Sequence, residues 1–160
     1  TNGYSLLRRL LFDRLALDVG DPFPGLDARM TDVLLRPHRS YANAVHPLLD
    51  SGVIHALAHI TGGGIPGNLD RVVPDGLQAR VERASWRPPA EFRAVQEHGR
   101  IADDEMFHTL NMGVGMIAVV PDDDADAVVA RLQQSGERAW RLGSVVQGDT
   151  RVMLVGEASG

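Results

Sequence analysis

Short segments that fit strands alternate with longer helical patterns along this chain, and this alternation constrains the fold more than any other feature. Segments 55–60 and 114–120 are mostly apolar and are flanked by glycine or proline, as buried strands are. Segment 77–83 alternates apolar and polar residues, which is typical of a half-exposed strand. Strands and helices therefore share one chain.

The end of the chain decides between fold classes. Two strands are predicted in succession over 139–146 and 151–155, and Gly148-Asp149 between them is a hairpin signal. Adjacent strands do not fit a strict strand-helix alternation. We therefore predict a single α+β domain over residues 1–160, with a mixed, mostly antiparallel sheet flanked by helices.

Helical patterns fill most of the remaining chain. The clearest covers 122–135: acidic residues occupy its first turn, Arg131 lies late and Gly136 follows its end, as helix-dipole and capping preferences require. Leucines from 6 to 17 mark another helix, and Ser5 is placed to cap its start. The other predicted helices cover 31–35, 41–50, 68–73, Pro88 to Gly99, and 103–110.

Composition excludes several kinds of chemistry. The chain has 160 residues and no cysteine, so it has no disulfide and no thiolate metal site. All 16 basic residues are arginine, which excludes a Schiff-base or general-base lysine. A net charge of −5 argues against non-specific nucleic-acid binding. No apolar run approaches the roughly 20 residues that span a membrane, and we expect a cytoplasmic protein.

A glycine run after the first strand is the strongest functional signal. His59-Ile60-Thr61 leads into Gly62-Gly63-Gly64, and Asn68 follows. Consecutive glycines permit positive φ angles and bring bare amides close to a ligand, a geometry that suits phosphate. A glycine run after a strand equally fits a structural turn, and the residues leave both interpretations open.

The other candidate sites have simpler explanations. The Gly-x-Gly in the segment Asn111 to Met116 precedes a strand, whereas a dinucleotide fingerprint follows one, so these glycines fit a close backbone approach or a bulge at a strand start. The acidic runs at 103–105 and 122–124 fit helix starts, and the histidines show no metal-ligand spacing, so no metal site is predicted. Arg39 is suited to gripping a phosphate or to a surface ion pair.

Taken in order, several segments resemble aminoimidazole ribonucleotide synthetase, also called phosphoribosylformylglycinamidine cyclo-ligase. The similarity extends over essentially all 160 residues, and the ordered set is specific although each piece is weak. The segments are Thr1-Asn2-Gly3-Tyr4-Ser5-Leu6, Pro37-His38-Arg39-Ser40-Tyr41, His59 to Gly64 with Asn68, Arg71 to Pro74, Ser85-Trp86, Met106-Phe107 with Thr109, Asn111 to Met116, and Gly136 with Ala139-Trp140.

The resemblance implies the C-terminal domain of a two-domain, ATP-dependent enzyme of purine biosynthesis, usually a homodimer. The whole enzyme closes the imidazole ring of formylglycinamidine ribonucleotide with ATP and magnesium, through a phosphorylated amide. The N-terminal domain, absent from this chain, would bind most of the ATP and metal. The domain alone would then be inactive, whether it is a fragment or a stand-alone relative.

The resemblance also implies roles for individual residues. Catalytic roles in the cleft fall to His59 and Thr61. Substrate or phosphate binding falls to Gly62, Gly63, Gly64, Asn68 and Arg39, with Asn2 and Ser5 at the domain junction. Asn111 and Gly113 would line the cleft.

Three features depart from the family. The family has a histidine just before the segment Thr1-Asn2-Gly3-Tyr4-Ser5, and this histidine is absent because the chain begins after it. The family commonly has threonine where His38 stands and lysine where Asn43 stands. His38 and Asn43 keep open a non-catalytic binding or regulatory module with the same fold. Another ATP-dependent member of the superfamily is a separate alternative.

Overall fold

The computed structural model describes residues 3–157. Helices lie at α1 (Tyr4–Arg8), α2 (Met30–Leu34), α3 (Ala42–Asp50), α4 (Gly64–Leu69), α5 (Ala90–Gly99), α6 (Asp103–Thr109) and α7 (Ala125–Gln134). Strands lie at β1 (Ala56–His59), β2 (Leu77–Glu82), β3 (Met116–Val119), β4 (Gly143–Gln147) and β5 (Val152–Val155). The predicted α+β class is confirmed.

The strands form two small sheets. β1 pairs with β3 in antiparallel register, so that Ala56 lies opposite Val119 and His59 opposite Met116. In the second sheet β2 is central, with β4 antiparallel on one side and β5 parallel on the other. The mixed, mostly antiparallel arrangement predicted from the sequence is therefore present, divided between two sheets.

The predicted terminal hairpin is wrong, because β4 and β5 do not pair with each other. β4 ends beside the start of β2, where Gln147 is opposite Leu77. The chain then crosses that end of β2: the Gly148 amide donates to the Gly76 carbonyl at 3.1 Å, and Gln78 Nε2 donates to the Thr150 carbonyl at 2.9 Å. β5 consequently starts on the opposite edge of β2 and runs parallel to it.

Two helix starts also differ from the sequence prediction. Ser5 does not cap α1: the N-cap is Gly3, no side chain caps it, and Ser5 is exposed in the first turn. A π-helical segment, Arg9–Arg14, continues from α1 and buries Leu10 and Leu11. The helix expected to start at Asn68 starts at Gly64 instead.

Other helices match their patterns. A 3₁₀ turn, Asp122–Asp124, leads into α7, which ends before Gly136 at a φ of +83°. Pro47 lies inside α3 without ending it.

A contiguous apolar core joins the helical part of the chain to the strands. Trp86 anchors its edge, since its Nε1 donates to the Met112 carbonyl at 3.0 Å and its ring meets Phe107 edge-on. Among its most completely buried members are Leu11, Met30, Ile60, Ile65, Met106 and Phe107. Because α4 and α6 both contribute to this core, the chain after β1 is fixed against α6.

A separate apolar cavity of about 530 Å³ opens between α3, α7 and the strands. Its walls include Leu48, Ile117 and Val128. Tyr41 also lines it, whereas His59 and the glycine run after it do not. The cavity therefore does not include His59 or the glycine run after it.

Candidate functional site

The candidate site starts where β1 ends. Gly63 has a φ of +93° and Gly64 a φ of +60°, so two consecutive residues adopt the left-handed conformation that favours glycine. These two angles turn the chain out of the strand and start α4 at once. A helix therefore begins where the sequence predicts a continuing loop, because the glycine pair makes the reversal by itself.

The three glycines differ in exposure and in hydrogen bonding. Gly64 is buried, its amide donates to the Thr61 carbonyl at 3.1 Å, and a Cβ there would lie 1.9 Å from the Phe107 carbonyl oxygen. Gly63 is exposed and Gly62 is half-buried. Within residues 3–157, the Gly62 and Gly63 amides donate no hydrogen bond. Gly64 thus packs α4 against α6, while the amides of Gly62 and Gly63 have no hydrogen-bond acceptor within residues 3–157.

The Asn68 side chain stabilises the loop by hydrogen bonds to its backbone carbonyls. Its side chain is buried in α4, and Nδ2 lies 2.7 Å from the Gly64 carbonyl, 3.2 Å from the Gly62 carbonyl and 3.4 Å from the Thr61 carbonyl. Thr61 Oγ1 donates to Asn68 Oδ1 at 3.4 Å. One buried amide therefore ties together the backbone on both sides of Gly63.

His59, at the end of β1, has an exposed side chain that contacts another histidine. Its Nε2 is 3.0 Å from Nε2 of His38, which lies 21 residues earlier in the chain. Sequence spacing gives no sign of this contact, because the two residues belong to separate segments. His38 attracts attention in the sequence only as a departure from the family pattern.

Arg39 is ion-paired in the structure. Its Nε lies 2.7 Å from Glu137 Oε2 and its Nη2 donates to the Gly136 carbonyl at 2.8 Å. The surface ion pair that the sequence left open is thus present, and phosphate binding by Arg39 stays a prediction.

Tyr41 lies near this ion pair and is half-buried. Burial, followed by the negative charge of Glu137, raises the pKa of Tyr41, whereas the positive charge of Arg39 lowers it.

Asn111 and Gly113 form a turn before β3. Asn111 Oδ1 accepts from the Gly113 amide at 3.0 Å, and Gly113 has a φ of +86°. A Cβ on Gly113 would lie 2.4 Å from Pro89 Cδ. The contact of Gly113 with Pro89 matches the close backbone approach predicted from the sequence, and a cleft-lining role for Asn111 or Gly113 stays a prediction.

The remaining predicted residues lie elsewhere. Asn2 lies outside the described residues, and Ser5 is exposed on α1. In the described part of the chain, no group of three or more histidine and acidic side chains has the arrangement of a metal site. Over the same residues, no helix is long and apolar enough to cross a membrane.

The family model for the AIR synthase related protein, C-terminal domain, matches residues 1–155. The chain belongs to this family. The match covers both sheets, the glycine loop and the segment containing His38, so the candidate site is part of the shared domain.

Curated members of this family are closely similar in sequence. Phosphoribosylformylglycinamidine cyclo-ligase of Geotalea uraniireducens (strain Rf4) is 41% identical over 147 residues, which are 92% of this chain and 42% of the relative. The enzyme of the same name from Anaeromyxobacter dehalogenans (strain 2CP-C) is 46% identical over 149 residues, covering 92% of this chain and 43% of that protein. The chain thus spans less than half the length of these relatives.

Two solved structures share the fold. Thiamine-monophosphate kinase from Stenotrophomonas maltophilia K279a matches with a TM-score of 0.64 and 18% identity, over 99% of this chain and 49% of that one. A protein from Thermus thermophilus matches with a TM-score of 0.53 and 20% identity, over 81% of this chain and 40% of that one. At these identities the likeness concerns the fold alone.

Proposed function

We propose that this AIR synthase-type domain is the C-terminal part of an ATP-dependent cyclo-ligase that converts formylglycinamidine ribonucleotide to aminoimidazole ribonucleotide. The name shared by curated relatives that are 41% and 46% identical to the chain supports this reaction. In it, phosphorylation makes the amide oxygen a good leaving group, and the neighbouring amidine nitrogen then closes the ring.

The domain's part in the reaction is to bind a phosphate of the substrate or of the phosphorylated intermediate. The proposal rests on the backbone amides of Gly62 and Gly63, which donate no hydrogen bond within residues 3–157. Two backbone N–H groups at an exposed turn offer donors to phosphate oxygens. Because Asn68 already holds the backbone on either side, little ordering is required when the anion binds.

His59 and Thr61 flank the same turn and are proposed to face the reacting groups. Thr61 is half-buried and bonded to Asn68, which favours a role in shaping the cleft. His59 is exposed at the strand end and is suited to donating or accepting a proton. Arg39, already paired with Glu137, would need to exchange partners to reach a phosphate.

ATP and magnesium belong mainly to another part of the enzyme in this proposal. Residues 3–157 contain no group of three or more histidine and acidic side chains arranged as a metal site. As the resemblance to the cyclo-ligase implies, we assign ATP and magnesium to the N-terminal ATP-binding domain of the whole enzyme, within a homodimer in the cytoplasm. The chain contributes phosphate binding and closure of the cleft.

Calorimetry with ribose 5-phosphate tests the loop assignment. Gly63→Val should abolish the binding heat, because a branched side chain blocks the approach of an anion to the amides. Gly76→Val is the matched control: Gly76 also has a positive φ, of +80°, and has open space around it, but it lies in the turn before β2. Equal affinities in the two folded variants would contradict the proposal.

A further inference from the structure

Two histidines meet directly at the end of β1. The Nε2 atoms of His38 and His59 are 3.0 Å apart, while the ring centroids are 5.0 Å apart with planes tilted by 56°. Because the centroids are further apart than the nitrogens, the rings meet through their nitrogen edges and do not stack. The contact has the length of an N–H···N hydrogen bond.

The strap, defined here as residues 37–41, is anchored by two residues that follow His38, Arg39 and Tyr41. Arg39, the residue after His38, pairs with Glu137, which lies three residues after the end of α7. At the end of the strap, the ring of Tyr41 meets the His38 ring edge-on at a centroid distance of 6.1 Å. The His38 ring therefore has a defined position despite its exposure.

Tyr41 in turn packs against Gly115, the residue before β3. A Cβ on Gly115 would lie 1.9 Å from the Tyr41 hydroxyl oxygen, so the tyrosine occupies the space that a side chain would need. The Gly115 carbonyl accepts from the Ile60 amide at 2.9 Å, one residue beyond His59. Gly115 therefore contacts the strap through Tyr41 and the end of β1 through Ile60. These two contacts hold the His38 and His59 rings at a fixed separation.

The hydrogen bond couples the tautomer of His59 to that of His38 when both rings are neutral. A neutral imidazole has one N–H, so one ring must donate through Nε2 and the other must accept there. If His38 donates, neutral His59 carries its proton on Nδ1, an atom with no partner among residues 3–157. If His59 donates, its Nδ1 is a bare acceptor, which repels an anion.

We infer that His38 is a positioning residue, which donates from Nε2 to His59 and thereby presents His59 Nδ1–H to an anionic ligand of the Gly62–Gly63 loop. The choice of donor rests on the proposed phosphate ligand, because phosphate oxygens accept hydrogen bonds and a bare nitrogen offers none. The positioning itself rests on the contact between the rings. His38 thus acts on the ligand through His59.

Nitrogen NMR of the full 160-residue chain tests the positioning. Long-range proton–nitrogen spectra of the ¹⁵N-labelled chain at about pH 8, where neutral imidazole predominates, report which ring nitrogen carries the proton. The wild type should show His59 protonated at Nδ1. His38→Ala should convert it to a tautomer mixture, and His38→Gln, whose amide also donates, should restore Nδ1–H.

His46→Ala is the control, since His46 is exposed on α3 and lies outside the strap. It should leave the His59 signals unchanged. The inference is overturned if wild-type His59 is protonated at Nε2, or if its tautomer is the same in wild type and in a His38→Ala chain with native amide shifts.

Ribose 5-phosphate calorimetry tests whether the pair serves the ligand. Loss of one ordered donor should weaken binding about threefold to tenfold in His38→Ala, with recovery in His38→Gln. Unchanged affinity despite a changed tautomer would overturn the ligand role. If the wild type binds no ribose 5-phosphate while the tautomer still responds to His38, the proposed function fails and the positioning stands.

Discussion

Two neighbouring glycines in the loop should respond very differently to the same substitution. Gly63 and Gly64 both have positive φ angles, +93° and +60°. At Gly63 the nearest atom to an added Cβ is the Gly67 Cα, 3.7 Å away, which is ordinary contact. At Gly64 the nearest atom is the Phe107 carbonyl oxygen at 1.9 Å. Only the second substitution forces a backbone atom to move.

The magnitudes follow from these distances. A non-glycine residue in the left-handed conformation costs about 1–2 kcal/mol, which is the whole expected loss for Gly63→Ala. Gly64→Ala has a similar conformational cost and must also separate α4 from the end of α6 at a buried contact. Overpacking of this kind adds about 1–3 kcal/mol. We therefore expect Gly64→Ala to be the more destabilising variant, by about 2 kcal/mol.

Urea unfolding measures the difference. The fluorescence of the two tryptophans reports unfolding. Buried Trp86 lies close to the perturbed contact, since the centroid of its ring is 6.0 Å from that of Phe107. If the free energy of unfolding falls with urea concentration at the same slope in both variants, the difference between their midpoints reports a difference in stability. A Gly64→Ala chain too unstable to purify agrees with the expected order. Free energies of unfolding within about 0.5 kcal/mol of each other would refute the reasoning.

Three further outcomes are expected. Asn68→Ala should lower the free energy of unfolding by about 1–3 kcal/mol, because the carbonyls of the loop lose their donor. Asn68→Asp should lower it further, because a carboxylate would face the same carbonyls. Urea unfolding at pH 7 measures both variants. The pKa of Tyr41 is raised in the folded state. The contribution of Tyr41 to the free energy of unfolding is therefore present below about pH 10 and falls as the pH rises through the folded-state pKa. Tyr41→Phe should remove this increment from the alkaline loss of stability, and an unchanged pH profile would contradict it. The purified chain with ATP, magnesium and formylglycinamidine ribonucleotide should release no ADP; turnover in a coupled assay would contradict the proposed division between domains.

The sequence predicted those elements whose signals are local. The pattern from Ala125 to Leu132 and the glycine that follows it define α7, because an apolar stripe and a C-cap act within one helix. The class of the fold likewise follows from strand-like segments that are separated by helices. The terminal hairpin failed for the opposite reason: Gly148-Asp149 is locally suited to a tight turn, but the edge of β2 is the better partner.

The site was predictable only in part. Three adjacent glycines indicate a ligand loop, yet the difference between Gly63 and Gly64 depends on α6, which lies much further along the chain, and so has no local signal. The contact of His38 with His59 likewise requires the strap to lie beside the end of β1. Spacing identifies candidate residues here, while their partners depend on tertiary packing.

The central place of β2 affects how this domain is made on the ribosome. Within the described chain, both partners of β2 come from the last strands, since β4 starts at Gly143 and β5 ends at Val155. At about 5–20 residues per second, synthesis leaves β2 without a neighbour for roughly 3–12 seconds. During that interval its exposed edges are open to nascent chains on adjacent ribosomes. A chaperone that covers Ala79 and Val81 until release should raise the yield of folded domain.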